Sequence, residues 1–126
     1  MTQSMQNTLK WEEFGQFILS IFLFNRLDFS WWIYPALLFL PDISILAYLI
    51  SPRIGAIVYN LFHHKLPAIL LFAVGSYLQW PIWTLFGIIF FGHSSMDRIL
   101  GYGLKYADHF RHTHLGWIGK KQSNVT

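Results

Sequence analysis

The sequence has no cysteine and few charged residues. The absence of cysteine excludes disulfide bonds, thiolate metal sites and cysteine nucleophiles. Charged residues make up 12% of the 126 residues, whereas apolar residues make up 54% and aromatic residues 19%. A water-soluble fold of this composition would expose much of its Phe, Trp and Leu and would aggregate. The composition therefore predicts an integral membrane protein, and the length predicts a single domain over residues 1–126.

Four hydrophobic segments follow one another along the chain, over about residues 11–25, 31–50, 54–78 and 82–101. All but the first are close to the ~20 residues that a helix needs to cross a bilayer. Segments of this length satisfy their backbone hydrogen bonds in lipid only as helices, and short connections make neighbouring helices antiparallel. We therefore predict an all-α fold, an antiparallel bundle of four transmembrane helices followed by a basic tail at residues 102–126.

Lys and Arg are concentrated at one end of this bundle. Lys10, Arg53 and the basic tail share one side of a four-span protein, whereas Arg26 lies on the other. Because positively charged loops remain in the cytoplasm, we expect both termini to be cytoplasmic in a multi-pass protein of the inner (plasma) membrane. The basic tail is expected to contact the anionic headgroups of the lipid bilayer and not a nucleic acid.

Several ionisable residues lie inside the predicted spans, where such groups are costly and indicate a functional site. Asp42, His63 and His93 lie on three different helices, each roughly 12–14 Å from the cytoplasmic end at a rise of 1.5 Å per residue. Asn60 precedes His63 by about one turn and Asp97 follows His93 by four residues, so each pair shares a helix face. The sequence therefore predicts a polar centre in the cytoplasmic half of the bundle.

A His and a carboxylate on one helix face can bind the same ion. We take His63, His93 and Asp97 as candidate ligands of a divalent metal, and their nitrogen and oxygen atoms suit zinc, iron or manganese. Polar side chains between membrane helices also stabilise bundles simply by hydrogen bonding, so a centre without any cofactor remains open. Pro67 is expected to interrupt the third helix and to leave Lys65 beside a wet cleft.

A second group of residues, which we expect to bind the polar part of a substrate, surrounds the cytoplasmic mouth: Asn60, Arg98, Lys105, Tyr106, His114 and Glu13. Glycines after the fourth span allow the tail to fold back beneath the bundle. Two alternatives remain open at this point. Glu13 also fits a solvated residue at a helix N-terminus, and Arg98 also fits a simple ion pair with Asp97.

These residues lie in short motifs: Leu40–Asp42, Pro52–Gly55, Tyr59-Asn60 with His63, His93–Arg98, Gly101–Tyr106, and Phe110 with Thr113–Gly116. In these motifs the chain resembles the small bacterial membrane protein family catalogued as domain of unknown function 4260. The resemblance covers nearly the whole chain and implies no established activity. It implies that His63, and not His64, is the histidine of the centre, and it adds Thr113 beside His114.

Two main functions fit these observations. The first is a membrane-embedded enzyme in which Asp42, His63, His93 and Asp97 act on a small lipophilic substrate from the cytoplasmic side. Its reaction is hydrolysis by metal-activated water, or acid–base isomerisation or cyclisation without metal. The second is a binding or transport module that forms a homo-oligomer and moves an ion or proton. A purely structural membrane subunit is a third alternative, which an aligned polar layer does not favour.

Overall fold

The computed structural model describes residues 2–102, 112–113 and 115–117. Its helices, in chain order, are α1 (Gln3–Asn25), α2 (Ile33–Leu37), a 3₁₀ helix (Leu40–Leu49), α3 (Pro52–His63), α4 (Lys65–Tyr77) and α5 (Pro81–Ile99). Two short strands, β1 (His112–Thr113) and β2 (Gly116–Trp117), pair antiparallel, with His112 opposite Trp117 and Thr113 opposite Gly116. The body of the protein is thus all-helical, as predicted.

The third predicted segment is broken at His64 and not at Pro67. His64 has an extended backbone, with φ −82° and ψ 135°, and its Nδ1 accepts a hydrogen bond of 3.0 Å from the backbone N–H of Leu66. This contact caps the first turn of α4. Pro67 lies within that first turn, where a helix tolerates proline because the N–H that it lacks would be unpaired there. The prediction that Pro67 interrupts the helix is therefore wrong.

The second predicted segment is also divided, into α2 and the 3₁₀ helix. Pro41 at the start of the 3₁₀ helix has no N–H to donate to the preceding turn, so the α-helical pattern cannot continue through it. Ser44 instead donates its hydroxyl to the Pro41 carbonyl at 2.7 Å. A 3₁₀ run longer than about four residues is uncommon and often marks a functional segment. Asp42 lies in the first turn of this one.

The central element is α5, which packs closely against α1 and α4, while α3 packs against the 3₁₀ helix and touches α5. Phe24, Leu38, Leu85, Ile88 and Ile89 form the buried apolar core beside it. The approach of α4 to α5 depends on Gly87, since a Cβ there would overlap the backbone of α4 at Phe72 and Ala68. This packing fixes the position of α5, the helix that carries most of the buried polar residues among those described.

Several polar side chains are buried between the helices, whereas many large apolar side chains are exposed. The fully buried polar side chains on α5 include His93, Ser94 and Ser95. Large apolar side chains on other helices are exposed, for example Trp11 at 72% and Leu49 at 86%. Among the described helices none is by itself both long and apolar enough to cross a bilayer; α3 and α4, bent by 44° relative to each other, meet that requirement as a pair. The four-span arrangement stays a prediction.

We expect Gly87→Ala to lower the stability of the protein by roughly 1–3 kcal/mol, because the added methyl group forces α4 and α5 apart. The control is Gly15→Ala, since Gly15 lies on α1 with no neighbouring atom within 4 Å of an added Cβ. That substitution should raise stability by up to about 1 kcal/mol through helix propensity. Thermal unfolding of both purified variants measures the difference, and equal melting temperatures would contradict the packing described here.

Candidate metal centre

Four side chains from three helices meet at one point. Asp42 comes from the start of the 3₁₀ helix, His63 is the last residue of α3, and His93 and Asp97 lie one turn apart on α5. One potential ligand atom of each residue lies within 4.8 Å of the corresponding atoms of the other three. The structure thus brings together Asp42, His63 and His93, which the sequence placed at similar depth on three helices, with Asp97, which it placed on the same helix face as His93.

The contacts within this group, which we call the Asp/His centre, are short. His63 Nε2 lies 3.2 Å from Asp42 Oδ1 and 3.5 Å from Asp97 Oδ2. His93 Nε2 lies 3.1 Å from Asp42 Oδ1 and 3.2 Å from Asp97 Oδ2, and the two Nε2 atoms are 3.0 Å apart. Because an imidazole nitrogen carries at most one hydrogen, these five contacts cannot all be N–H hydrogen bonds.

The spacing of these atoms also fits the ligands of a metal ion. In a tetrahedral site with ligands at about 2.0–2.2 Å from the metal, neighbouring ligand atoms are about 3.3–3.6 Å apart. Among the atoms of His63, His93 and Asp97, the three separations of 3.0, 3.2 and 3.5 Å are close to these values, and imidazole with carboxylate ligands suits zinc, iron or manganese. The Asp/His centre could therefore hold a divalent metal.

Tyr59 and Ser94 fix the orientation of His63. The Nδ1–H of His63 donates to the backbone carbonyl of Tyr59 at 2.9 Å, so Nε2 is the nitrogen that faces the centre. The Tyr59 ring stacks on the imidazole at 3.7 Å, with only 8° between the ring planes, and its hydroxyl donates to Asp97 Oδ2 at 3.3 Å. Ser94 donates its hydroxyl to the His63 carbonyl at 2.5 Å. These neighbours hold His63 in the geometry that a ligand needs.

His93 is held differently. Its side chain is completely buried, and its Nδ1 has no hydrogen-bond partner within the part of the chain that the structure describes. The ring is positioned by packing, with its edge toward Phe39 at a centroid distance of 6.1 Å. The polar contacts of this imidazole are therefore all made by Nε2, toward the centre.

Access to the centre is possible at Asp42. The side chains of His93, His63 and Asp97 are 0%, 4% and 12% exposed, whereas that of Asp42 is 38% exposed. The residues next to this opening are apolar, because Phe39 and Ile43 are each 59% exposed on the same segment. A molecule that reaches the centre through this opening must pass an apolar surface.

Glu13 and Arg98 lie in a separate group with Gln16 and Lys65, which we call the Glu13 cluster. Lys65 Nζ donates to Glu13 Oε2 and to Gln16 Oε1, and Arg98 Nη1 lies 3.8 Å from Glu13 Oε1. Arg98 therefore pairs with Glu13 and not with Asp97, which corrects the alternative of an ion pair with Asp97. The Glu13 side chain is 14% exposed, so it is not a solvated residue at a helix end either.

The remaining predicted site residues divide into two groups. Asn60 lies half-buried on α3, one turn before His64. Lys105, Tyr106 and His114 lie outside the described residues. Sequence reasoning did not assign Tyr59 or Ser94 to the centre, although both lie within the motifs. Tyr59 is four residues before His63 on the same helix face, and Ser94 follows His93. The four-residue spacing could have identified Tyr59 as a neighbour of His63.

A family model described as a domain of unknown function (DUF4260) matches residues 6–118 of this chain. The match includes the four residues of the Asp/His centre and the Glu13 cluster. No curated protein matches the chain, and no solved structure does. The assignment of chemistry therefore depends on the geometry of the site.

We expect Glu13→Gln to destabilise the protein by about 3 kcal/mol, because it leaves the mostly buried Lys65 without a carboxylate partner. The matched control is Glu12→Gln, since the neighbouring Glu12 is exposed, and its effect should be within about 0.5 kcal/mol. In the double variant Glu13→Gln, Lys65→Met most of the lost stability should return. Chemical or thermal unfolding measures all three, and equal effects of the two glutamate variants would contradict the ion pair.

Proposed function

The chain belongs to the DUF4260 family, and from its Asp/His centre we propose that it is a membrane-embedded, metal-dependent hydrolase of a small lipophilic substrate. The observation that carries the proposal is the convergence of His63 Nε2, His93 Nε2, Asp42 Oδ1 and Asp97 Oδ2 within 4.8 Å. Two carboxylates balance the charge of one divalent cation. Zinc, iron and manganese all accept this ligand set.

A location in the bilayer is supported by the distribution of side chains. The chain exposes large apolar residues along its helices and buries histidine, serine and aspartate between them. In water such a surface would be a large apolar patch, whereas in lipid it is the surface that a membrane protein presents. The aromatic residues Trp31, Trp32, Trp80 and Trp83 are exposed at one end of the predicted spans, as residues at a membrane interface are.

Hydrolysis is the reaction that this centre supports best. A bound divalent cation supplies a Lewis acid that activates water for attack on a carbonyl or phosphoryl group. His63, His93 and Asp97 would hold the cation and leave its fourth position to the water. Asp42, the most exposed of the four residues, would accept the proton of that water. It then returns that proton to the leaving group. The buried His63, His93 and Asp97 keep the geometry of the centre, and Tyr59 orients both His63 and Asp97.

The nature of the substrate is suggested by the opening at Asp42. The exposed side chains around it are Phe39, Ile43 and Leu46, all on the surface that we place in lipid. A substrate that enters there comes from the bilayer and is lipophilic. The transport alternative is less well supported, because beyond the centre the buried interior consists mostly of apolar residues such as Leu38, Ile88 and Ile89. Its buried hydroxyl groups, on Ser20, Tyr34 and Thr84, are already hydrogen-bonded to each other or to backbone carbonyls. An ion path needs polar groups on both sides of its binding site.

We expect the purified protein to contain about one divalent metal ion per chain, the stoichiometry of a single metal site. Elemental analysis of protein prepared without a histidine tag or chelator measures it. The metal should be absent from the double variant His63→Ala, His93→Ala. The control is His64→Asn, which removes the neighbouring exposed imidazole but keeps a residue able to cap α4.

Two results of this experiment would contradict a metal centre. One is equal metal content in the wild type and in a correctly folded double variant. The other is a folded wild type that stays free of metal after incubation with zinc, iron(II) and manganese(II). The second result would leave Asp42 and Asp97 as acid–base groups and would favour isomerisation or cyclisation without a cofactor.

We expect Tyr59→Phe to weaken metal binding about 10- to 100-fold, the usual effect of removing a hydrogen bond to a ligand. The phenyl ring keeps the stacking on His63, so only the hydroxyl that donates to Asp97 is lost. Tyr77→Phe is the control, because Tyr77 is 86% exposed on α4. Competition with a chromophoric zinc chelator gives both affinities, and an unchanged affinity in Tyr59→Phe would exclude this role of the hydroxyl.

A further inference from the structure

A groove lies on the side of α5 that faces away from the Asp/His centre. It runs between α1, α4 and α5 and encloses a cavity of about 240 Å³. Its walls are apolar, with Leu19 and Leu23 from α1, Ile69 and Phe72 from α4, and Ile88 and Phe91 from α5. Successive residues rotate by about 100° around a helix, so Phe91 and Arg98 lie roughly 140–160° from His93 around the axis of α5.

The Glu13 cluster closes one end of this groove, and the same three helices form both. On α1, Gln16 precedes Leu19 and Leu23 by one and two turns, and on α4, Lys65 precedes Ile69 and Phe72 in the same way. On the antiparallel α5, Arg98 follows Phe91 by two turns. Lys65 Nζ lies 5.4 Å from the centroid of the Phe91 ring, which links the charged end to the apolar walls. The Glu13 cluster and the apolar groove thus form one continuous surface.

In the ion pairs at this end, positive groups outnumber negative ones. Lys65 and Arg98 carry two positive charges and share the single carboxylate of Glu13. Glu12 also acts on Lys65 but is exposed to solvent. Among the described residues, Arg98 makes only the ion pair with Glu13, at 3.8 Å, so most of its five N–H donors are available to a further acceptor. The site therefore favours a ligand with an anionic group at one end and a hydrocarbon chain at the other.

From this arrangement we infer that the groove binds an anionic lipid of the bilayer, with an acyl chain between α1, α4 and α5 and the headgroup at Lys65 and Arg98. The inference depends on the proposed location in the membrane but not on a metal at the Asp/His centre. The cavity is smaller than the ~300–1,000 Å³ of pockets for drug-sized ligands, so it has room for part of one acyl chain. The lipid is a second ligand, bound on the opposite face of α5 from the reaction.

The test compares dioleoyl phosphatidylglycerol with dioleoyl phosphatidylcholine, which have the same chains and differ in charge. Native mass spectrometry of the full-length protein, titrated with each lipid in detergent, gives the occupancy of the site. We expect the wild type to prefer phosphatidylglycerol by about fivefold or more, the contribution of one cation near an anionic headgroup. Protein stripped of metal by a chelator should show the same preference, which separates this result from any result on the metal centre.

Two pairs of variants locate the lipid. Arg98→Gln should lose the preference for the anionic lipid, whereas Arg53→Gln, an exposed cation outside the groove, should keep it. Ile69→Trp fills the groove and should lower the affinity for both lipids about fivefold or more. Its neighbour Leu70→Trp is the control, because Leu70 is exposed on α4 but does not line the groove.

Several outcomes would overturn the inference. Equal affinity of the wild type for the two lipids would exclude an anionic headgroup at Lys65 and Arg98. Equal loss in Ile69→Trp and Leu70→Trp would exclude the groove as the place of the chain. Binding of glycerol phosphate as tightly as of the lipid would reduce the site to an anion site without a chain. If Ile69→Trp converts an oligomer to a monomer and leaves lipid binding unchanged, a second copy of the chain occupies the groove.

Discussion

The close packing of α5 against its neighbours on all sides is the constraint on which the rest of the structure depends. The Asp/His centre needs His93 and Asp97 to meet His63 from α3 and Asp42 from the 3₁₀ helix within 4.8 Å. The Glu13 cluster needs Arg98, on another face of the same helix, to reach α1. A shift of α5 by one residue would rotate its polar groups by about 100° and separate both sets of contacts.

Regular helix geometry made part of the site predictable. A rise of 1.5 Å per residue converts positions in the sequence into depths, so residues on different antiparallel helices could be placed at one level before any contact was known. The pairing of His93 with Asp97 follows from a spacing of four residues on α5. The contact between Tyr59 and His63 follows from the same spacing, because the two residues are four apart on α3. These features were predictable because they lie within one helix or follow from the position of a residue along its helix.

Other features could not be read from the sequence, for physical reasons. The 3₁₀ helix has the composition of an ordinary apolar helix, and it packs against α3, a contact that no local sequence pattern specifies. The break at His64 depends on the cap that its side chain makes to Leu66. Pro67, the residue type that most often ends a helix, lies in the first turn of α4, where it does not interrupt the helix. Glu13 and Lys65 are separated by 52 residues, and no periodicity or motif links residues so far apart.

The break between α3 and α4 has an electrostatic consequence for the Asp/His centre. Because α3 ends at His63, the C-terminal turn of this helix lies beside the place where the side-chain atoms of the Asp/His centre meet. The aligned peptide dipoles of a helix give that end a partial negative charge of about half an elementary charge. An unbroken helix over the same residues would carry this charge to its far end, some 20 Å away at 1.5 Å per residue. The kink thus adds the field of a helix terminus to the two carboxylates, and it makes the buried centre a favourable place for a cation without a third acidic side chain.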